Sequence, residues 1–99
     1  MNVQIQSVKF DAGQPLLDFI QKKMDRLDRF VDDRAGDVEV TLRLDPDSEK
    51  GNKVGVVSLH VPGGDIRVEE RAFTFEEAID NSMDIIKRQL EKAKAIFEK

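Results

Sequence analysis

Residues 74–99, TFEEAIDNSMDIIKRQLEKAKAIFEK, are the stretch around which the rest of this chain is organised. Apolar residues recur in it at intervals of four and three, the spacing that keeps side chains on one side of an α-helix. They are Ile79, Met83, Ile86, Leu90, Ala93 and Phe97. Thr74 is a suitable N-cap, and Glu77 three residues later completes a capping-box pattern. The stretch therefore predicts one long amphipathic helix whose apolar face belongs to the core.

The charges of this helix are sorted along its length. Four acids come first, and the bases Lys87, Arg88, Lys92, Lys94 and Lys99 all come later, where they outnumber Glu91 and Glu98. That order suits the helix dipole, which is positive at the N-terminus and negative at the C-terminus. A solvated polar face explains the pattern by itself, whereas an anionic partner would need support from the rest of the chain.

A second helical stripe precedes it, from Leu16 to Val31, with Pro15 suited to the first turn. We expect Lys22, Arg26 and Arg29 on its polar face and Lys23 at its border. The interspersed acids Asp18, Asp25 and Asp28 can pair with these bases at helical spacing. Gly36 is expected to form the left-handed turn that ends this element.

The remaining segments predict four strands. The first lies within residues 1–10, where alternation changes parity after Ile5, so a bulge or an early end is expected. Strict alternation predicts a second strand, Val38–Leu44, and an exposed loop over residues 45–52 follows. A third strand, Lys53–Val61, should bury Val57, Leu59 and Val61, whereas the pattern leaves Val54 and Val56 undecided. A turn at residues 62–64 leads to the fourth strand, Asp65–Glu70.

The element order β-α-β-β-β-α predicts an α+β, two-layer sandwich. Each element has one apolar side, so both helices should cover one face of a four-stranded sheet. The opposite face is left to solvent or a partner, with Glu39, Thr41, Arg43, Ser58 and His60 on it. The bases of the two helices would then lie on the same side of the molecule.

Length and composition limit the possible functions. Ninety-nine residues, 1–99, make a single domain. There is no cysteine, hence no thiolate nucleophile or cysteine metal site, and His60 is the only histidine. No catalytic constellation, metal site or cofactor motif is found, so we predict that the chain is not an enzyme. No signal peptide or membrane-spanning run is found, which favours the cytoplasm. The net charge of −4 means that any RNA site must be a local basic patch.

Three segments together resemble the ribosome hibernation-promoting factors, also called ribosome-associated translation inhibitors. They are LLDFIQKKMDRLDRF (Leu16–Phe30), VSLHVPGGDIRVEE (Val57–Glu70) and FEEAIDNSMDIIKRQLEKAK (Phe75–Lys94), which cover about half of the chain in the right order. The resemblance implies a fold similar to a double-stranded-RNA-binding domain. It also implies binding to the small ribosomal subunit, in the channel of messenger and transfer RNA, and inhibition of translation in stress or stationary phase.

The resemblance also implies which residues contact ribosomal RNA. The residues that match the family's motifs are Lys22, Lys23, Arg26, Arg29, Arg88 and Lys92, with Gln89 as a polar neighbour. To these we add Lys87 and Lys94 of the same helix and Arg67 of the fourth strand. The chain resembles a short form of the family, expected to be monomeric and to yield inactive single ribosomes. The alternative from a different class is a small α/β adaptor whose exposed sheet face or edge strand binds another protein.

Overall fold

A computed structural model describes residues 2–31, 36–46, 49–61 and 64–97, with side chains described up to Lys92 in the last range. The elements are β1 (Val3–Ser7), α1 (Gln14–Phe30), β2 (Val38–Leu44), β3 (Lys53–Val61), β4 (Gly64–Ala72) and α2 (Phe75–Phe97). The predicted order β-α-β-β-β-α is confirmed.

The four strands form one sheet in the order β1-β2-β3-β4. β1 pairs with β2 in parallel, and the two other pairings are antiparallel. β1, β2 and β4 therefore run in one direction. Because each helix returns from a strand of that direction, α1 and α2 are parallel, and their C-termini lie at the same end of the molecule.

Both helices pack on one face of the sheet, as the sequence predicts. One cluster of buried residues joins the helices to the sheet, with Ile20, Met24 and Leu27 from α1 and Ile79, Met83, Ile86 and Leu90 from α2. The sheet contributes alternate residues, among them Val38, Val40, Leu42, Val57 and Leu59. Burial of these side chains is the main stabilising contribution to the fold. The two other predicted core residues of α2, Ala93 and Phe97, lie outside the described side chains.

The ends of both helices have local causes. At the start of α2 the Thr74 Oγ1 accepts a hydrogen bond from the Glu77 backbone N–H at 3.1 Å, which confirms the predicted N-cap. At the end of α1 the Val31 N–H bonds the Leu27 carbonyl, and Val31 is extended. The prediction that Gly36 ends this helix in a left-handed turn is wrong, because the helix already ends at Phe30 and Gly36 instead donates its N–H to the His60 carbonyl.

The change of alternation in the first strand is explained by its early end. β1 stops at Ser7, and Lys9 adopts a φ of +64°, a left-handed conformation that turns the chain towards α1. Beyond this turn, Phe10 stacks on Phe75, with ring centroids 5.2 Å apart. The start of α2 is thus fastened to the connection between β1 and α1.

On the sheet face opposite the helices, polar side chains of β2 and β4 cover the strand between them, β3. Val54 and Val56 point to this face, yet each is less than a tenth exposed. Arg43 of β2 bridges to Glu69 of β4 at 3.0 Å, which carries both long side chains across β3. The hydrogen bond from Arg43 also holds the pKa of Glu69 below its ordinary value. In contrast to the prediction, Val61 at the end of β3 is only half-buried.

His60 lies on the same polar face, beside the turn between β3 and β4. It pairs with Asp65 across the hairpin, and its Nδ1 lies 2.9 Å from the Asp65 Oδ1. This hydrogen bond, followed by Coulomb attraction to the carboxylate, raises the pKa of His60 above its ordinary value. The pair is exposed, as expected for a residue on the sheet face left to solvent or a partner.

We expect Asp65→Asn to lower the pKa of His60 towards its ordinary value, which an NMR titration of the ring protons would measure. A raised folded-state pKa contributes stability that is fully present below the unfolded-state pKa and is lost as the pH rises through the folded-state pKa. Asp65→Asn should therefore reduce the free energy of unfolding at mildly acidic pH and leave it unchanged at alkaline pH. An unaltered His60 titration in the variant would contradict the assigned cause.

Candidate functional site

Seven basic residues lie on the helix side of the sheet, and we call them the basic helix surface. They are Lys22, Lys23, Arg26, Arg29, Lys87, Arg88 and Lys92. Because α1 and α2 cover the same sheet face, side chains that point away from the core of either helix emerge on the same side of the molecule. The juxtaposition predicted from the two amphipathic patterns is thereby confirmed for the described residues.

The outer face of α1 carries both bases and acids. Lys22, Arg26 and Arg29 are exposed, and Lys23 is half-buried at the border facing α2. Asp18 and Asp25 lie on the flank away from α2, because each helical residue is rotated by about 100° from the last. Each accepts a hydrogen bond from a glutamine one turn earlier, Gln14 and Gln21 respectively. Asp18 and Asp25 are thus each held by a neighbouring glutamine.

The C-terminal half of α2 supplies the remaining bases and Gln89. Arg88, Gln89 and Lys92 are exposed, and the Arg88 Nε lies 3.4 Å from the Asp84 carbonyl. Together with Ile85 and Glu91 they line an open groove of about 490 Å³ on the flank of α2 away from α1. Arg88 and Lys92 therefore form the outer edge of the basic helix surface.

A second groove, of about 300 Å³, runs between the two helices. Lys23 and Arg26 line it from α1, and Asp80, Met83, Asp84 and Lys87 line it from α2. Lys23 is held in place by two contacts, with Nζ 2.8 Å from the Asp80 Oδ1 and 5.2 Å from the centroid of the Phe19 ring. The groove therefore brings three bases and two acids together within one concave site.

The predicted residue Arg67 lies on the other side of the molecule. It follows the buried Ile66 and precedes the buried Val68, so its side chain is on the polar sheet face, where its neighbour in register on β3 is Ser58. The structure does not bring Arg67 together with the helix bases. Lys94 is in α2, but its side chain lies outside the described residues, so its predicted contact cannot be placed.

The site has the chemistry of anion binding. Guanidinium and ammonium groups bind phosphate through charge-assisted hydrogen bonds, and arginine offers a fork that contacts two oxygens at once. The described residues include no group of three or more histidine, cysteine, aspartate or glutamate side chains that could hold a metal ion. No helix in the described ranges is long and apolar enough to cross a membrane.

Relatives of known name share this sequence along nearly all of its length. The chain is 36% identical over 98 residues to the ribosome hibernation promotion factor of Deinococcus radiodurans, covering 97% of this chain and 50% of that protein. It is 30% identical over 94 residues to the ribosome hibernation promoting factor of Klebsiella oxytoca, covering 95% of this chain and 94% of that protein. The chain thus spans about half of one relative and nearly all of the other.

Solved structures share the fold. A ribosomal subunit interface protein from Coxiella burnetii superposes with a TM-score of 0.80 at 19% identity, over 96% of this chain and 99% of that one. The N-terminal domain of Thermus thermophilus Protein Y gives 0.75 at 28% identity, over 93% and 98%. None of these four proteins carries an enzyme's name.

The family assignment comes from a model that matches almost the whole chain. The family model described as Sigma 54 modulation protein / S30EA ribosomal protein matches residues 3–96. This range includes the four strands, α1, all of α2 except its last residue, and every residue of the basic helix surface. With the predicted fold, the resemblance of the three segments and the named relatives in agreement, the chain belongs to the Sigma 54 modulation protein / S30EA ribosomal protein family.

Proposed function

We propose that this protein is a ribosome hibernation factor, which binds the small ribosomal subunit in the channel of messenger and transfer RNA. Bound there, it inhibits translation in stress or stationary phase by occlusion and without catalysis. Two of its relatives are named as hibernation factors, which supports the general role. Acting on ribosomes, the protein would work in the cytoplasm, as a monomer.

The observation that carries this proposal is the concentration of bases on one surface of an acidic chain. The net charge is −4, yet seven bases of two helices emerge on the same side of the sheet. Phosphate neutralisation dominates binding to nucleic acids, so a surface of this kind is the part of the molecule that would face RNA. Contacts of this type follow the course of the RNA backbone rather than its base sequence.

The individual contacts are proposed as follows. Lys22, Lys23, Arg26, Arg29, Lys87, Arg88 and Lys92 bind phosphates of ribosomal RNA, and Gln89 hydrogen-bonds beside them. Lys94, one turn beyond Leu90, extends the set along α2. Arg67 makes a separate contact from the polar sheet face, as a channel that encloses the protein would allow.

We expect binding to be strongly dependent on salt. Each phosphate neutralised adds about −0.7 to −0.9 to the slope of log K against log salt concentration. The seven proposed contacts would then give a slope of about −5 to −6, a loss of roughly 1,000-fold or more for a fourfold rise in salt. Co-sedimentation with purified small subunits between 50 and 200 mM salt, about the range over which such losses are seen, would measure this slope. Binding that hardly changes over that range would argue against a phosphate-based site.

The function itself is tested by the distribution of the protein in cells. Sucrose gradients of lysates from growing and starved cells would be probed for the protein, with the free small subunit separated at low magnesium. We expect the protein in the ribosomal fractions of starved cells and with the small subunit after dissociation. Sedimentation with a different, non-ribosomal assembly would support the adaptor alternative instead.

A further inference from the structure

Within the described residues, the groove between α1 and α2 combines cations and a carboxylate that form no ion pair. Of the three bases that line it, Lys23 is already paired with Asp80. Arg26 and Lys87 make no ion pair or side-chain hydrogen bond within the described residues, and neither does the carboxylate of Asp84. Within the described residues, the groove thus contains two positive groups and one negative group that form no ion pair.

We propose that this groove binds one RNA phosphate through Arg26 and Lys87. We propose also that the Asp84 carboxylate lowers the affinity of the groove for that phosphate. The inference rests on the proposed function, and it adds a site and a residue with an opposing effect. Arg26 comes from α1 and Lys87 from α2, so a phosphate in the groove would be bound by one side chain of each helix. Asp84 lies one turn before Arg88 and three residues before Lys87, on the wall of α2.

The charges of the groove decide the sign of the effect. A phosphate that enters it is attracted by Arg26 and Lys87 and repelled by the Asp84 carboxylate, which lines the same groove. Unlike Asp80, Asp84 has no ammonium partner in the described residues to offset its charge. Removing this charge should therefore strengthen RNA binding, whereas most substitutions in a binding site weaken it.

The carboxylates of α1 provide a matched control. Asp25 is exposed on the flank of α1 away from α2, and its Oδ1 accepts a hydrogen bond from the Gln21 Nε2 at 3.0 Å. Asparagine would keep that oxygen in place. Asp25→Asn and Asp84→Asn therefore change the net charge by the same amount, from −4 to −3, but only one of them changes the groove.

The experiment is an equilibrium binding assay of the full 99-residue chain with purified small ribosomal subunits at several salt concentrations. We expect Asp84→Asn to bind about three- to tenfold more tightly than the unchanged protein, and Asp25→Asn to change binding by less than about twofold. Arg26→Gln and Lys87→Gln should each weaken binding and make the salt slope shallower by about 1. All four residues are on the helix exterior, and a thermal melt would confirm that each variant is folded.

The outcomes separate this inference from the function on which it rests. If the unchanged protein does not bind small subunits at low salt, the proposed function fails. If it binds, but Asp84→Asn and Asp25→Asn change the affinity equally, then only the net charge of the protein affects binding, and the groove is not a phosphate-binding site. Weaker binding of Asp84→Asn would equally contradict the proposed effect of Asp84, because the carboxylate would then increase the affinity for the small subunit.

Discussion

Reversing the charge of both Arg88 and Lys92 to glutamate is expected to weaken binding to the small ribosomal subunit by about 100-fold or more at moderate salt. The double variant removes two phosphate contacts and places two carboxylates at the outer edge of the basic helix surface, a local change of four charge units. Both side chains are exposed, and neither belongs to the buried cluster. The free energy of unfolding should therefore stay nearly the same while binding is lost.

Arg67→Glu is the matched comparison for this variant. It reverses one charge at an exposed position on the polar sheet face, away from both helices. We expect a loss corresponding to one contact at most, much smaller than that of the helix variant. Co-sedimentation at moderate salt, with circular dichroism melts of each protein, would compare them. Unchanged co-sedimentation of the Arg88/Lys92 variant would reject the assignment of these residues.

Gly51→Ala is expected to destabilise the fold by about 3 kcal/mol or more, because the position combines an unusual backbone angle with a close backbone contact. Gly51 precedes β3 and has a φ of +110°. A Cβ at this position would overlap the carbonyl group of Ala72 and come within 2.7 Å of the Phe73 nitrogen. These are backbone atoms at the end of β4, so neither can rotate away.

Chemical denaturation of Gly51→Ala and Gly64→Ala would separate the two causes. Gly64 also has a positive φ, +145°, but apart from its neighbours in the chain a Cβ there would have no atom of the described residues within 4 Å. Gly64→Ala should therefore cost only the backbone strain, about 1–2 kcal/mol. Equal losses for the two variants would show that the contact with Ala72 has no effect. The basic helix surface is far from Gly51, so the folded fraction of the variant should still bind.

The sequence predicts the elements well because their signals are local. The four-three spacing of α2, the Thr74 cap and the alternation of β2 each depend on residues within a few positions of one another. The burial of Val54 and Val56 could not be obtained in this way. It depends on Arg43 and Glu69, which come from two other strands and meet across β3. The register of three strands is needed to see that they are covered.

The sequence predicts which residues form the candidate site better than it predicts the contacts between them. The amphipathic patterns place the bases on the outer faces of the helices, and a shared sheet face brings these outer faces together. The ion pair of Lys23 with Asp80 and the position of Asp84 in the groove depend on how closely the helices approach, which neither pattern contains. The separation of Arg67 did have a signal, since Ile66 and Val68 on either side of it alternate with it in β4.

The parallel direction of the two helices has a kinetic consequence. Glu76 and Glu77 begin α2 at one end of a molecule that measures 45 × 26 × 17 Å, while Arg29, Arg88 and Lys92 lie towards the other. Along these residues of its two helices the molecule changes from acidic to basic. In the field of a polyanion it would be rotated before contact, with its basic end leading. Encounters would then begin in a productive orientation, although the molecule as a whole is repelled.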